Sequence, residues 1–229
     1  MIQFYILLVI FLITFFILRS NNQKEVRYIQ PVIRQGDDLV VYSRKHEDSR
    51  FNTKTRKAKH WYARTIIKNI NNDLMNDLKN NKKPNFLILG VSLGSLPIHL
   101  LNQYKHINVT AIDIYDDYFH IVRKYSPSDR IKLIKADAKK FIKKDTNKYD
   151  YIVCDIFGND YVPDFVVTNE FMTNIYKRLK KQGKFFINTV RVEHKDLNAV
   201  LKQSFPNYSI KNIPRFKDTK KSNTLTIVY

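Results

Sequence analysis

Cysteine and acidic residues are scarce in this chain, and each shortage narrows what the protein can be. Cys154 is the single cysteine among 229 residues, so no internal disulfide can form and no metal cluster is suggested. Twenty-one acidic residues stand against 40 basic ones, which gives a formal net charge of +19. That charge favours anionic partners and disfavours long-range attraction of a free polyamine cation. The chain also lacks internal repeats and low-complexity linkers, and its length suits one domain.

The first eighteen residues are apolar apart from Gln3 and Thr14. This run approaches the length of about twenty residues that a membrane-spanning helix needs. A cleaved signal peptide is the alternative, but the run has no basic residue before it and no small-residue cleavage site after it. We therefore predict an uncleaved single-pass anchor over residues 1–20. Basic residues on its C-terminal flank predict a cytosolic folded domain; they are Arg19, Lys24, Arg27 and Arg34.

Two structural elements are predicted between the anchor and the core of the domain. Alternating residues around Gly36 predict a small β-element within residues 21–56. Residues 57–80 are then predicted to be helical, because their apolar residues recur at intervals of three and four and Pro84 follows. Trp61 and Tyr62 are predicted to pack this helix onto a sheet. The remaining residues, 57–229, are predicted to form one α/β domain.

Short apolar runs within residues 85–190 are followed by a glycine or an aspartate. The runs cover residues 86–89, 109–112, 131–134 and 149–154. Such runs are typical of buried parallel strands, whose carboxyl ends frame the ligand crevice of an open sheet. For one aspartate alone, a helix N-cap is the stronger interpretation. Four residues in register predict a shared site instead: Gly90, Asp113, Asp137 and Asp155.

Several motifs together resemble a known family. They are LGVSLGSLP at residues 89–97, AIDI at 111–114, ADA at 136–138, TNEF at 168–171 and LKKQGKFFIN at 179–188. In this order they resemble the spermidine-synthase-like branch of class I S-adenosylmethionine-dependent transferases. They are also similar to the C-terminal domain of a methyltransferase-like family that modifies translation elongation factor. The resemblance covers about residues 26–229 and implies a Rossmann-like, seven-stranded sheet with helices on both faces.

The resemblance implies an adenosyl cofactor, S-adenosylmethionine or its decarboxylated form, along the carboxyl edge of the sheet. Asp113 would hold the ribose, and Asp137 would accept a hydrogen bond from the adenine amino group. Asp155 is the predicted catalytic residue, because it matches the position that orients or deprotonates the acceptor. No metal is expected. The cofactor-binding positions implied are Gly90, Ser92, Gly94, Asp113, Ile114, Asp137 and Ala138.

Two departures from the family pattern affect the functional prediction. Ser92 and Leu93 stand where glycine is usual, and the leucine side chain either points into the sheet or narrows the pocket. True spermidine synthases also carry a second aspartate three residues after the position of Asp155, whereas this chain has Gly158. Asp160 could substitute from a longer loop, although a solvated turn is the stronger interpretation. This second departure weakens the prediction of a polyamine substrate.

The resulting prediction is a membrane-anchored methyltransferase that modifies a nitrogen of a protein or small amine. The alternatives are an aminopropyl transferase that acts on a diamine and a non-catalytic relative that acts as a binding protein. A homodimer is compatible with the sequence. Specific nucleic-acid binding is not expected, because lysine, asparagine and isoleucine are raised together, as an AT-rich genome would produce.

Overall fold

The computed structural model describes residues 30–43, 46–158, 161–190, 194–215 and 223–229. The predicted anchor at residues 1–20 and the candidate acid Asp160 lie outside these ranges, so both stay predictions. Within the described ranges, no helix is both long and apolar enough to cross a membrane.

A three-stranded antiparallel sheet forms the small β-element. Its strands are β1 (Val32–Gln35), β2 (Asp38–Ser43) and β3 (His46–Asn52). Gly36 occupies the tight turn between β1 and β2 with a φ of 59°, a conformation that glycine adopts without strain. Val41 and Phe51 bury one side of this sheet against the rest of the protein.

The main sheet has seven strands in the order β6-β5-β4-β7-β8-β10-β9. The five strands β4 to β8 are parallel, while β10 pairs antiparallel with both β8 and β9. The strands are β4 (Asn85–Leu89), β5 (Asn108–Asp113), β6 (Ile131–Lys135), β7 (Tyr149–Cys154), β8 (Leu179–Val190), β9 (Ile210–Pro214) and β10 (Asn223–Val228). The predicted seven-stranded Rossmann-like sheet is therefore confirmed.

Six α-helices connect and cover the strands within the described ranges. They are α1 (Trp61–Lys79), α2 (Ser95–Gln103), α3 (Phe119–Tyr125), α4 (Ala138–Lys144), α5 (Asn169–Arg178) and α6 (His194–Ser204). Helix α1 begins four residues later than the sequence predicts. The reason is a tertiary contact, because Lys59 donates its backbone N–H to the Arg50 carbonyl at 3.0 Å and Ala58 bridges to Phe51. The residues just before Trp61 therefore extend the β3 edge instead of the helix.

The strands of the main sheet carry a hydrophobic layer on each face. Side chains in β4 alternate between the two layers: Phe86 and Ile88 join the layer under α1, α2 and α3, and Leu87 and Leu89 join the layer under α5 and α6. The prediction of helices on both faces is therefore confirmed. Tyr62 is buried in the first layer, as predicted from its helix.

The order of the strands fixes where a ligand can bind. From β4 the chain builds outward through β5 and β6, and then returns to the other side of β4 to form β7. At such a reversal, the connections leave the sheet in opposite directions and open a crevice at the carboxyl ends of the strands. The ends of β4, β5 and β7 frame this crevice.

Candidate active site

Gly90 begins the turn that follows β4 and lies directly against β7. Its backbone N–H donates to the Ile112 carbonyl at 2.9 Å, and the Asp155 N–H donates to the Leu89 carbonyl at 2.8 Å. Its φ is 90°, and a Cβ at this position would lie 2.7 Å from the Asp155 carbonyl carbon. Only glycine allows this approach of β4 and β7, because any side chain would push the two strand ends apart.

The carboxylate of Asp113 holds the same turn from the neighbouring strand. Its Oδ2 accepts hydrogen bonds from the backbone N–H groups of Val91 at 2.8 Å and Ser92 at 3.1 Å, and its Oδ1 accepts one from Tyr115 at 3.0 Å. Two carboxylate oxygens offer about four lone-pair directions in total. Asp113 can therefore fix the turn and still accept a hydroxyl hydrogen bond.

The departure at Leu93 does not narrow the crevice. The Leu93 side chain is fully buried in the hydrophobic layer under α1 to α3, so it points into the protein. Ser92 has a φ of 46°, which places it in the left-handed region and costs about 1–2 kcal/mol for a residue other than glycine. Gly94 also has a positive φ and is the N-cap of α2. The turn thus keeps a glycine-like backbone although it has fewer glycines than the family pattern.

Asp137 acts as the N-cap of helix α4. Its Oδ1 accepts a hydrogen bond from the Lys140 backbone N–H at 3.0 Å. The sequence analysis gave N-capping as the alternative role of an aspartate at a strand end, and Asp137 has that role. The predicted contact of Asp137 with a cofactor stays a prediction. Ala138 is the first residue of the same helix and is half-buried. Ile114, next to Asp113, leaves 53% of its surface exposed at the edge of the crevice.

Asp155 follows β7 and is held by two neighbouring side chains. The Asn188 amide donates to its Oδ1 at 2.8 Å, and the Tyr62 hydroxyl forms a second hydrogen bond with the carboxyl group. Burial raises the pKa of Asp155 above its ordinary value, although these two hydrogen bonds act in the opposite direction. Burial likewise raises the pKa of Tyr62, and the charge of Asp155 adds to that effect. A carboxyl group with a raised pKa is suited to accept a proton.

The sequence analysis gave no role to Asn188 and only a packing role to Tyr62. Asn188 is 2% exposed near the end of β8, and its Oδ1 is buried with no hydrogen-bond partner in the described part of the chain. An asparagine that directly follows the apolar residues Phe185 to Ile187 is a signal that could have identified it. Such an unpaired buried acceptor is unfavourable unless a ligand or water supplies a donor.

These residues fit an adenosyl cofactor better than a metal ion. Asp113 keeps one lone-pair direction for a ribose hydroxyl, and Ile114 presents an apolar surface for a base. Among the residues searched, which are the described ones, no group of histidine, cysteine, aspartate and glutamate could hold a metal.

A strand-order reversal, a glycine turn after the first parallel strand and an acid after the second form the arrangement in which open α/β sheets bind a nucleoside-containing cofactor. The chain belongs to the Methyltransferase small domain family, which matches residues 56–217. At the level of this family, the predictions of a class I S-adenosylmethionine-dependent transferase and of its adenosyl cofactor are confirmed.

Two curated relatives have names that state different activities. The polyamine aminopropyltransferase of Vibrio vulnificus (strain CMCP6) is 31% identical over 122 residues, which are 49% of this chain and 40% of that protein. The N-terminal histidine N-methyltransferase of Emericella nidulans is 29% identical over 115 residues, which are 45% of this chain and 19% of that protein. The chain thus spans less than half the length of either relative.

Solved structures share the fold. A probable spermidine synthase from Corynebacterium glutamicum aligns with a TM-score of 0.66 at 14% identity, over 88% of this chain and 80% of that one. Human methyltransferase-like protein 13, solved in complex with SAH, aligns with a TM-score of 0.55 at 21% identity, over 65% of this chain and 72% of that one. At these identities the similarity concerns the fold alone.

Proposed function

We propose that this protein transfers the methyl group of S-adenosylmethionine to the nitrogen of an amine, on a protein or a small molecule. The observation that carries the proposal is the environment of Asp155, whose carboxyl is half-buried at the end of β7 and has a raised pKa. An alkylammonium must lose a proton before its nitrogen can attack, and a carboxylate with a raised pKa is a more effective base than an exposed one.

The residues of the site have distinct roles in this proposal. When bound, S-adenosylmethionine supplies an electrophilic carbon attached to a positively charged sulfur. Asp113 and the turn at Gly90 hold the ribose end, while Asp137 and Ala138 line the base. Asp155 accepts the proton of the acceptor, and hydrogen bonds from Asn188 and Tyr62 keep its carboxyl in one orientation. Most of the acceleration then comes from positioning the acceptor nitrogen.

Aminopropyl transfer to a diamine is the second candidate, and the name of the Vibrio vulnificus relative supports it. A diamine carries a second ammonium group, whose recognition calls for a further carboxylate. The position three residues after Asp155, where true spermidine synthases carry the second aspartate, is Gly158. The net charge of +19 also disfavours a dication at long range. Both features support the methyltransferase as the first candidate.

Calorimetric titration of the full-length protein, kept in a mild detergent, tests the proposal. The ligands are S-adenosylmethionine, its decarboxylated form and S-adenosylhomocysteine. Preference for S-adenosylmethionine over the decarboxylated form is expected for methyl transfer, and the opposite preference would support aminopropyl transfer. The mass of the product formed from a mixture of amines separates the two reactions independently. A folded protein that binds none of the three ligands would instead be a non-catalytic relative.

The proposal includes single-pass membrane attachment through residues 1–20, with the transferase domain in the cytosol. It rests on the apolar composition of that segment and on the basic residues that follow it. Extraction of the expressed protein from membranes by alkaline carbonate would contradict it, whereas release only by detergent would support it. Sedimentation of the detergent-solubilised protein would show whether it forms the homodimer that the sequence allows.

A further inference from the structure

His60 has a ring nitrogen that the protein itself leaves unpaired. It precedes helix α1, and its Nε2 lies 3.0 Å from the backbone carbonyl oxygen of Glu47 in strand β3. A carbonyl oxygen only accepts, so Nε2 carries the hydrogen and, in the neutral ring, Nδ1 is an acceptor. Nδ1 is buried and has no hydrogen-bond partner in the described part of the chain. The small β-element thus fixes the tautomer of His60 and leaves an acceptor available.

His60 lies beside the catalytic carboxyl. Its ring centroid is 5.3 Å from that of Tyr62, whose hydroxyl bonds to Asp155. His60 therefore belongs to the acceptor end of the crevice.

The Asn188 side chain provides a second unpaired acceptor there. Its Nδ2 donates to Asp155 at 2.8 Å, and this bond fixes the amide orientation because a carboxylate only accepts. The Oδ1 atom is consequently left buried with no donor among the described residues. A buried acceptor without a partner costs about 1–3 kcal/mol. Two such acceptors, one on a residue bonded to Asp155 and one on a ring packed against Tyr62, are compatible with a ligand that brings several donors.

We propose that His60 Nδ1, Asn188 Oδ1 and Asp155 together select a primary amine as the acceptor, and that His60 is a specificity-determining residue. This inference rests on the proposed function. A primary alkylammonium brings three N–H donors, whereas a hydroxyl and a tertiary alkylammonium bring one each.

The proton and electron balance follows from this arrangement. One N–H proton passes to the Asp155 carboxylate, and the two remaining N–H groups of the neutral amine are held by His60 and Asn188. The nitrogen lone pair then forms the new N–C bond to a sulfonium donor, while the electron pair of the broken C–S bond goes to sulfur. The protonated Asp155 then releases its proton to solvent, and the product leaves as the new alkylammonium.

The test uses full-length protein saturated with S-adenosylhomocysteine and titrated with n-butylamine, which has the ammonium chemistry of a lysine side chain. N,N-dimethylbutylamine is the matched tertiary amine. In His60→Gln the side-chain amide can still donate to the Glu47 carbonyl, but the Nδ1 acceptor is lost; His60→Ala removes both. His99→Gln is the control, because both ring nitrogens of His99 are already paired, with Ala58 and Gln103.

We expect the wild type and His99→Gln to bind butylamine at least about tenfold more tightly than the tertiary amine, a difference of ~1.4 kcal/mol. His60→Gln should lose this selectivity while its affinity for S-adenosylhomocysteine and its Tm stay unchanged. If His60→Gln keeps the selectivity, or if the wild type shows no selectivity, this inference is overturned while the proposed function is unaffected. Failure of the wild type to bind S-adenosylhomocysteine would overturn the proposed function and this inference with it.

Discussion

The side-chain amide of Asn188 and the carboxyl of Asp155 are joined by a 2.8 Å hydrogen bond between the carboxyl ends of the neighbouring strands β8 and β7. This bond orients the Asp155 carboxyl and, at the same time, leaves Asn188 Oδ1 without a donor in the described part of the protein. One contact between two strands thus fixes the orientation of both the proposed base and the proposed binding atom for the acceptor.

The raised pKa of Asp155 predicts that Asp155→Asn stabilises the protein at neutral pH. Burial makes the native state bind this proton more tightly than the unfolded chain does. The free energy of unfolding therefore falls as pH rises from the ordinary carboxyl pKa to the raised one, and stays lower above it. Asparagine removes this penalty, so we expect a higher Tm for the variant near pH 7 and a loss of transfer activity.

Thermal unfolding of both proteins across pH 3 to 8 checks this prediction. The gap in Tm should narrow as the pH falls through the raised pKa towards the ordinary one of about 3.9, below which the wild-type carboxyl is protonated in both states. For a chain of this size, 1 kcal/mol corresponds to roughly 2–4 °C. A variant less stable than the wild type at neutral pH would contradict the conclusion that the buried carboxylate of Asp155 destabilises the folded protein.

Gly90→Ala is predicted to be severely destabilising because the β4 turn has no room for a side chain. Its Cβ would lie 2.7 Å from the Asp155 carbonyl carbon, at a φ of 90°. We expect a loss of roughly 3 kcal/mol or more in urea unfolding, together with lost S-adenosylhomocysteine binding.

Gly36→Ala is the matched control, since Gly36 also has a positive φ but a Cβ there would meet no atom within 4 Å. Gly36→Ala should lose about 1 kcal/mol of unfolding free energy, because it has the strain of a positive φ but no steric clash. Equal losses of stability in the two variants would mean that the close approach of Gly90 and Asp155 contributes nothing to the effect.

The sequence predicts the sheet and its carboxyl edge well because these depend on local features. Apolar runs that end in Gly90, Asp113 or Asp155 are readable without knowledge of their neighbours. The start of α1 was predicted too early because residues just before Trp61 pair with β3, a contact between elements.

The proposed acceptor-binding residues could not be predicted from the sequence for the same physical reason. His60 acquires its tautomer from the carbonyl of Glu47, and Asn188 acquires its orientation from Asp155. Each partner is distant in sequence, so no spacing or periodicity indicates the role.

Substitutions at Asp137 are predicted to separate its capping role from contact with the cofactor. Asparagine is as good an N-cap as aspartate, so Asp137→Asn should keep the bond to Lys140 N–H and the stability of the protein. It should still weaken S-adenosylhomocysteine binding, since its second side-chain atom becomes a donor facing the adenine amino group. Asp137→Ala should lose both affinity and about 1 kcal/mol of stability, measured by calorimetry and urea unfolding. Full affinity in Asp137→Asn would leave Asp137 with the capping role alone.

Asp113→Ala is predicted to weaken S-adenosylhomocysteine binding at least about tenfold, a loss of ~1.4 kcal/mol. The carboxylate fixes the turn through the N–H groups of Val91 and Ser92, and its remaining lone pair is the proposed ribose acceptor. Hydrogen bonds to a charged group contribute roughly 1.5–3 kcal/mol, so stability should fall as well. Asp116→Ala is the control, because Asp116 is half-exposed and its ion pair with Lys135 at 2.9 Å is a surface interaction of small energy. Calorimetry at fixed salt compares the three proteins; equal affinities for Asp113→Ala and Asp116→Ala would show that Asp113 serves the turn and not the cofactor.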